Sequence, residues 1–147
     1  MTRPTIPNVP QDDMNSFMKR IDRMNRVFKT GFNEKPTDLG KERVRAFYSV
    51  LSEEVEELLM ANNRTPYVDL VAYADCLADI IVYCTSEARR WGIPLVPILH
   101  AVMASQDSKL VNGEPIYNEE GTKFIKGPNF QPPEENIREI LFGLEPV

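Results

Sequence analysis

The run from Leu70 to Cys84 constrains this chain most. Of its 15 residues 13 are apolar, and the two exceptions are Asp75 and Asp79. The run is too short and too charged to span a membrane. Asp69 before it and Gly92 after it mark a helix from about Asp69 to Trp91. A helix that is apolar all round is expected to be buried on all sides. Asp75 and Asp79 are four apart and so share one face of it. An ionised carboxylate buried without a partner costs several kcal/mol, so the pair calls for cations. Arg89 and Arg90 stand ten or more positions on, about 15 Å along a helix. A bound metal is the economical solution; a basic side chain from another helix is the alternative.

The rest of the chain reads as helices built around this one. Its 147 residues suit one domain. Residues 1–11 carry three prolines and are expected to form an extended arm, with residues 12–147 as a single helical domain. Asp12 or Asp13 can cap a first helix to about Thr30, with Phe17, Ile21, Met24 and Phe28 on one face. Gly31 and Pro36 break the chain. A second helix is predicted over Lys41 to Asn62, with Val44, Phe47, Leu51, Val55 and Leu58 as its core stripe. Pro94 and Pro97 suit the start of a fourth, covering Ile98, Leu99, Val102 and Met103. Beyond Lys109, turn signals flank two short strands, Pro115 to Tyr117 and Lys123 to Ile125. A short helix from about Glu134 to Phe142 follows. The expected fold class is all-α: a four-to-five-helix bundle with a short C-terminal hairpin and irregular tail.

Composition narrows the function. A net charge of −5 disfavours nucleic acid as a partner. Cys76 and Cys84 would stand about 12 Å apart along a helix, too far for a disulfide and wrongly spaced for a zinc knuckle. They read as buried free thiols of a reducing compartment. The N-terminus shows no apolar signal region, so a soluble, cytoplasmic protein with no membrane partner is expected.

The second helix carries Ser52-Glu53-Glu54-Val55-Glu56-Glu57-Leu58. Glu54 and Glu57 share a face, with Glu53 at its edge. A solvated acidic surface is the plain reading of such a segment taken alone. Antiparallel packing on the third helix would set Glu53, Glu54 and Glu57 opposite Asp75 and Asp79. Carboxylates in such a group favour Mg²⁺ or Mn²⁺. The single histidine, His100, lies outside the group, which argues against a Glu-x-x-His di-iron bundle. Carboxylate-held Mg²⁺ commonly meets substrate phosphates, and a pair of ions can activate a water. Hydrolysis of a phosphate ester or phosphoanhydride follows, with Glu53 as candidate base.

These residues carry a resemblance. Glu53-Glu54-x-x-Glu57-Leu58 followed by Asp75-x-x-x-Asp79-Ile80-Ile81-Val82-Tyr83 resembles the all-α nucleoside triphosphate pyrophosphohydrolase superfamily. Ser105-Gln106-Asp107-Ser108-Lys109-Leu110, Asn112-Gly113-Glu114-Pro115 and Lys126-Gly127-Pro128-Asn129-Phe130 look like its short, often phage-encoded MazG-like branch. The resemblance implies cleavage of a (d)NTP between its α and β phosphates, giving (d)NMP and pyrophosphate, in control of a nucleotide pool. A dGTP, dATP or dUTP preference is compatible with it. It implies Mg²⁺, with Mn²⁺ substituting and two or more ions per site. Glu54, Glu57 and Asp79 match the family's ligands, and Glu53 an acidic position that binds metal or assists the water. Ser108, Lys109, Lys126 and Asn129 fall in tail motifs associated with nucleotide contacts, in a segment (108–133) expected over the active site. Where the common pattern has Glu at position 76, this chain has Cys76, and Asp75 is taken as the substitute ligand. A homodimer or dimer of dimers is implied, in the bacterial cytoplasm if the gene is a phage's. A nucleotide sensor that binds metal without turnover is the alternative, and a structural dimerisation module the third reading.

Overall fold

The structure, a computed structural model, describes residues 13–63 and 66–143; Asp12 and the expected arm over residues 1–11 lie outside them. The architecture is all-α with a short hairpin, as predicted. The elements are α1 (Met14–Val27), α2 (Lys41–Asn62), α3 (Leu70–Arg90), α4 (Leu95–Asp107), β1 (Ile116–Tyr117), β2 (Phe124–Ile125) and α5 (Glu134–Phe142). The expected bounds of α2 and α5 are met. α1 stops at Val27, short of Thr30, because Lys29 turns left-handed at φ 56°. Asp13 and Asp69 cap α1 and α3 by accepting from the backbone N–H of Asn15 (2.9 Å) and Ala72 (3.1 Å). No helix of the described residues is long and apolar enough to cross a membrane.

The chain's contacts divide it into two compact units, residues 1–93 and 94–147. In the first, α3 packs against both α1 and α2 and runs antiparallel to each. Asp22 pairs with Arg89, and three residues on, Asn25 meets Ser86, three residues back. Arg43 meets Glu87, and eleven residues on, the Glu54 carbonyl meets Cys76, eleven residues back. These long-range bonds set the register of both helix pairs. Glu87 accepts from Arg43 at 2.6 Å and from the Trp91 indole at 2.8 Å, which ties the start of α2 to the end of α3.

The segment between α1 and α2 closes the C-terminal end of α3. The Asn33 backbone N–H donates to the Arg89 carbonyl (3.1 Å), its side-chain amide to the Arg90 carbonyl (2.6 Å), and the Thr37 N–H to the Trp91 carbonyl (2.7 Å). The last carbonyls of a helix lack their i+4 partners, and the strap adds donors there, the Arg89 carbonyl accepting from Gly92 N–H (3.2 Å) as well. Asn25 is fully buried; its amide donates to the Ser86 carbonyl (3.0 Å) and its oxygen accepts from the Ser86 hydroxyl (2.6 Å). Asn25→Ala strands both Ser86 groups in an apolar contact. A cost of about 2 kcal/mol is expected, read as a drop of roughly 4–8 °C in Tm by calorimetry.

One expectation fails. α3 is not buried on all sides among the described residues: Cys76, Thr85 and Ala88 are buried, but Leu70, Val71, Leu77, Ile81 and Tyr83 are exposed. Cys84, expected to be buried, is exposed as well, and both cysteines are free. Asp75 is likewise exposed and Asp79 half-buried. The predicted stripe on α2 fares similarly: Phe47, Leu51 and Leu58 are half-buried, while Val44 and Val55 are exposed. The reason is geometric. α1 and α2 cover only part of the circumference of α3, and apolar character all round a helix does not say which neighbour covers each side.

In the second unit α5 packs on α4. β1 and β2 pair antiparallel, Ile116 with Ile125 and Tyr117 with Phe124. The Asn118 side chain orders their turn by accepting from the Thr122 N–H at 2.9 Å.

Candidate functional site

The middle of the α2–α3 contact gathers the acidic motifs. Because the helices are antiparallel, the second turn of α3 faces the fourth and fifth turns of α2. Ligand-type atoms of Glu54, Glu57 and Cys76 all lie within 4.8 Å of one another. Cys76 is 4% exposed, and its thiol donates to the Glu54 backbone carbonyl at 3.1 Å. Glu54 is half-buried and Glu57 exposed, so the group opens to solvent on one side. Oε2 of Glu54 is buried without a hydrogen-bond partner, the one such side-chain atom among the described residues.

The electrostatics are one-sided. Partial burial, the neighbouring Glu57 charge, Asp79, a close approach of the Glu57 carboxyl and then Asp75 together hold the Glu54 carboxyl above the usual glutamate range. Burial first, then Glu54, Glu57, Asp79 and Asp75, pushes the Cys76 thiol up. Among the described residues no basic side chain enters either balance. The ion pairs found among them, Arg43–Glu87, Arg90–Glu87 and Arg89–Asp22, stand at the other end of α3. An orphaned buried carboxylate oxygen beside a second carboxylate and a thiol is a donor set that a divalent cation fits.

The pH dependence follows with a definite sign. A carboxyl raised on folding binds its proton more tightly in the native than in the unfolded state. Its contribution is full below the ordinary glutamate value and is lost as pH rises through the raised value. The metal-free protein should therefore lose stability from acid towards neutrality in the window Glu54 spans. Urea melts in chelator should show that loss, and Glu54→Gln should flatten it.

The predicted site residues separate into two places. Glu54, Glu57, Asp75 and Asp79 belong to the α2–α3 site, with Asp75 and Asp79 acting on it through their charge. Glu53 is exposed on α2 and is not part of the three-atom group. Sequence reasoning took Asp75 in place of the residue at 76; the residue brought against Glu54 and Glu57 is Cys76. The signal was present, since Cys76 stands where the resemblance puts a glutamate.

The tail residues lie in the second unit. The Ser108 hydroxyl donates to the Ser105 carbonyl (2.6 Å) and accepts from the Gln131 N–H (2.9 Å), while the Gly127 N–H donates to the Lys109 carbonyl (3.2 Å). A Cβ at Gly127 would come within 2.8 Å of that same carbonyl oxygen, so the close approach needs glycine. The Lys126 ammonium lies 4.6 Å over the Phe130 ring, and Asn129 is exposed.

Comparison with known proteins meets this geometry at the α2–α3 pair. The family model described as phosphoribosyl-ATP pyrophosphohydrolase matches residues 21–106. The chain belongs to this family. The family lies within the MazG-like all-α nucleoside triphosphate pyrophosphohydrolase superfamily. No curated protein matches the chain in a direct search. The matched span runs from within α1 to near the end of α4 and includes every acidic residue of the site. Ser108, Lys109, Lys126 and Asn129 fall outside it. Membership makes the protein a pyrophosphohydrolase of the kind that acts on nucleotide acid anhydrides.

Proposed function

We propose that the protein is a metal-dependent (d)NTP pyrophosphohydrolase that cleaves between the α and β phosphates, releasing pyrophosphate and a nucleoside monophosphate. The observation that carries the reading is the meeting of Glu54, Glu57 and Cys76 across α2 and α3, with one Glu54 carboxylate oxygen buried and unpartnered. Glu53, Glu54, Glu57, Asp75 and Asp79 are the proposed ligands, for Mg²⁺ with Mn²⁺ substituting and two or more ions per site. Bound there, divalent ions supply charge neutralisation at the phosphates and a nucleophilic water. Glu53, an exposed carboxylate next to Glu54 on α2, is the proposed base for the water's proton. Lys109 and Lys126 suit triphosphate oxygens as point charges, with Ser108 and Asn129 beside them. A phage role in nucleotide-pool control fits this activity.

The working form is proposed to be a homodimer or dimer of dimers. Val44, Tyr48, Val55 and Leu59 on α2 are exposed and fall within roughly 60° of one another around the helix. Leu70, Leu77 and Ile81 form a similar exposed stripe on α3. Stripes of this spacing match helix packing against another helix, and light scattering showing a strict monomer would refute the assembly.

A product assay tests the activity. The eight common (d)NTPs and phosphoribosyl-ATP are incubated with Mg²⁺ or Mn²⁺, and pyrophosphate is scored against orthophosphate. Pyrophosphate as the first product supports α–β cleavage, and orthophosphate rejects it. Turnover of phosphoribosyl-ATP alone would replace the (d)NTP reading by the reaction in the family's description. The exposure of Glu53 outside the three-atom group favours one second reading, a nucleotide sensor, for which tight nucleotide binding with no product is the signature.

A further inference from the structure

The metal-site reading above carries a consequence for which ion this chain selects. We infer that the cation seated between Glu54 and Glu57 is bound by the Cys76 sulfur as well, and that the site therefore takes a thiophilic first-row ion, Zn²⁺ or Co²⁺, ahead of Mg²⁺. Two observations support this. The Sγ atom lies with a carboxylate oxygen of each glutamate inside a 4.8 Å span. Ligands on one tetrahedral ion of this kind stand about 3.3–3.8 Å apart, so the three atoms close the set by drawing in by up to about 1.5 Å, within the reach of side-chain torsions. The Glu54 Oε2 atom is buried without a partner beside it.

Donor chemistry then decides the ion. Mg²⁺ demands oxygen ligands and near-ideal octahedral geometry, whereas thiolate donors favour zinc and its neighbours. Asp75, the oxygen donor nearest in sequence, is exposed, while Cys76 is nearly fully buried at the helix contact. On coordination the thiol gives up its hydrogen bond to the Glu54 carbonyl and its proton leaves to solvent. Mg²⁺ keeps its place as the counter-ion that arrives with the phosphates. Cys84, the second of the chain's two cysteines, is exposed and outside the group, which makes it an internal control.

The competing explanation is packing: a small thiol that fills the α2–α3 contact and donates to a carbonyl. Serine separates the two, because it keeps the size and the hydrogen bond and loses the soft donor. The full-length chain, stripped of metal, is titrated with Co²⁺ and followed by absorbance for the near-ultraviolet thiolate-to-cobalt charge-transfer band. Wild type and Cys84→Ser are expected to show the band and Cys76→Ser to lack it. By competition calorimetry the preference for Zn²⁺ over Mg²⁺ is expected to fall at least about tenfold in Cys76→Ser, since even outer-shell changes have effects of that size. Cys76→Glu should shift the preference towards Mg²⁺.

The Cys84→Ser chain also keeps the test sound should Cys76→Ser fail to fold. Cys76 is then its sole cysteine, and a cobalt- or cadmium-thiolate band in it assigns the sulfur without altering the site. No band in that chain with Co²⁺ demonstrably bound overturns the inference, as does an unchanged band or selectivity in Cys76→Ser. Glu54→Gln tells the two levels apart. If Glu54→Gln binds Co²⁺ like wild type, the metal site itself is wrong. If it loses Co²⁺ while Cys76→Ser changes nothing, only the sulfur's role is.

Discussion

Glu54→Gln is expected to weaken divalent-ion binding about 100-fold or more, to abolish metal-dependent pyrophosphate release, and at the same time to raise the stability of the metal-free protein. The two effects have opposite signs because one charge causes both. In the absence of metal the Glu54 carboxylate faces Glu57, Asp79 and Asp75 with one oxygen buried and unpartnered. Removing the charge relieves repulsion worth a few tenths of a kcal/mol for a like pair at this helical spacing, a gain of about 1 °C in Tm. In the presence of metal the same charge is a ligand. Loss of a direct ligand should exceed the 10–100-fold typical of groups one shell further out. A residue serving only the fold would behave otherwise, its loss lowering Tm and leaving ion affinity alone. Calorimetric titration with Mn²⁺, a thermal melt in chelator and a pyrophosphate assay read the three quantities. Near-normal turnover in Glu54→Gln would sink the site. Asp79→Asn should follow the same pattern, since the Asp79 charge also acts on Glu54.

Gly92→Ala should be the most damaging small substitution in the first unit, at about 3 kcal/mol or more. Gly92 ends α3 at φ 70°, and the chain there closes two bonds back onto the helix: Gly92 N–H to the Arg89 carbonyl (3.2 Å) and Ile93 N–H to the Ala88 carbonyl (2.9 Å). This is the Schellman arrangement that glycine favours. A side chain at a left-handed position costs roughly 1–2 kcal/mol by itself. The larger part comes from space. A Cβ on Gly92 would lie 1.9 Å from the Lys35 carbonyl oxygen and 2.4 Å from its carbon, and backbone cannot rotate aside as a side chain can. Residues 33–37 would have to lift, and with them the bonds by which Asn33 and Thr37 cover the carbonyls of Arg89, Arg90 and Trp91. A Tm loss of roughly 6–12 °C is the expected reading. Gly40→Ala is the control: φ is 91° there, but a Cβ meets nothing within 4 Å, so only backbone strain of roughly 1–3 kcal/mol should appear. Equal losses at the two glycines would mean that the Lys35 contact has no weight.

Much of the fold was legible because it is local. The spacing of apolar residues placed α2 over Lys41–Asn62 and α5 over Glu134–Phe142, and Asp69 and Gly92 bracketed α3. Caps, left-handed stops and helical periodicity act within a few residues, so the order of amino acids suffices to read them. The acidic motifs were legible for the same reason, since Glu54 and Glu57 share a face of α2 whatever α2 packs against. What the order of residues left open was everything that depends on a neighbour. The exposed apolar side of α3 and the open thiol of Cys84 were misread as buried, because hydrophobicity records a demand for cover without naming its source.

The ligand set divides along the same line. By itself, the sequence determined that two carboxylate motifs lie on two helices and that they carry a concentrated share of the chain's negative charge. Only the tertiary structure decided which residue of the second motif stands against Glu54 and Glu57. Asp75 and Cys76 are adjacent in the chain but about 100° apart around α3. The antiparallel register set by Arg43 on Glu87, far from the site, turns Cys76 inward and leaves Asp75 exposed. A rotation of one residue in a helix is invisible to a motif and decisive for a metal, since an ion senses only the few ångströms around it.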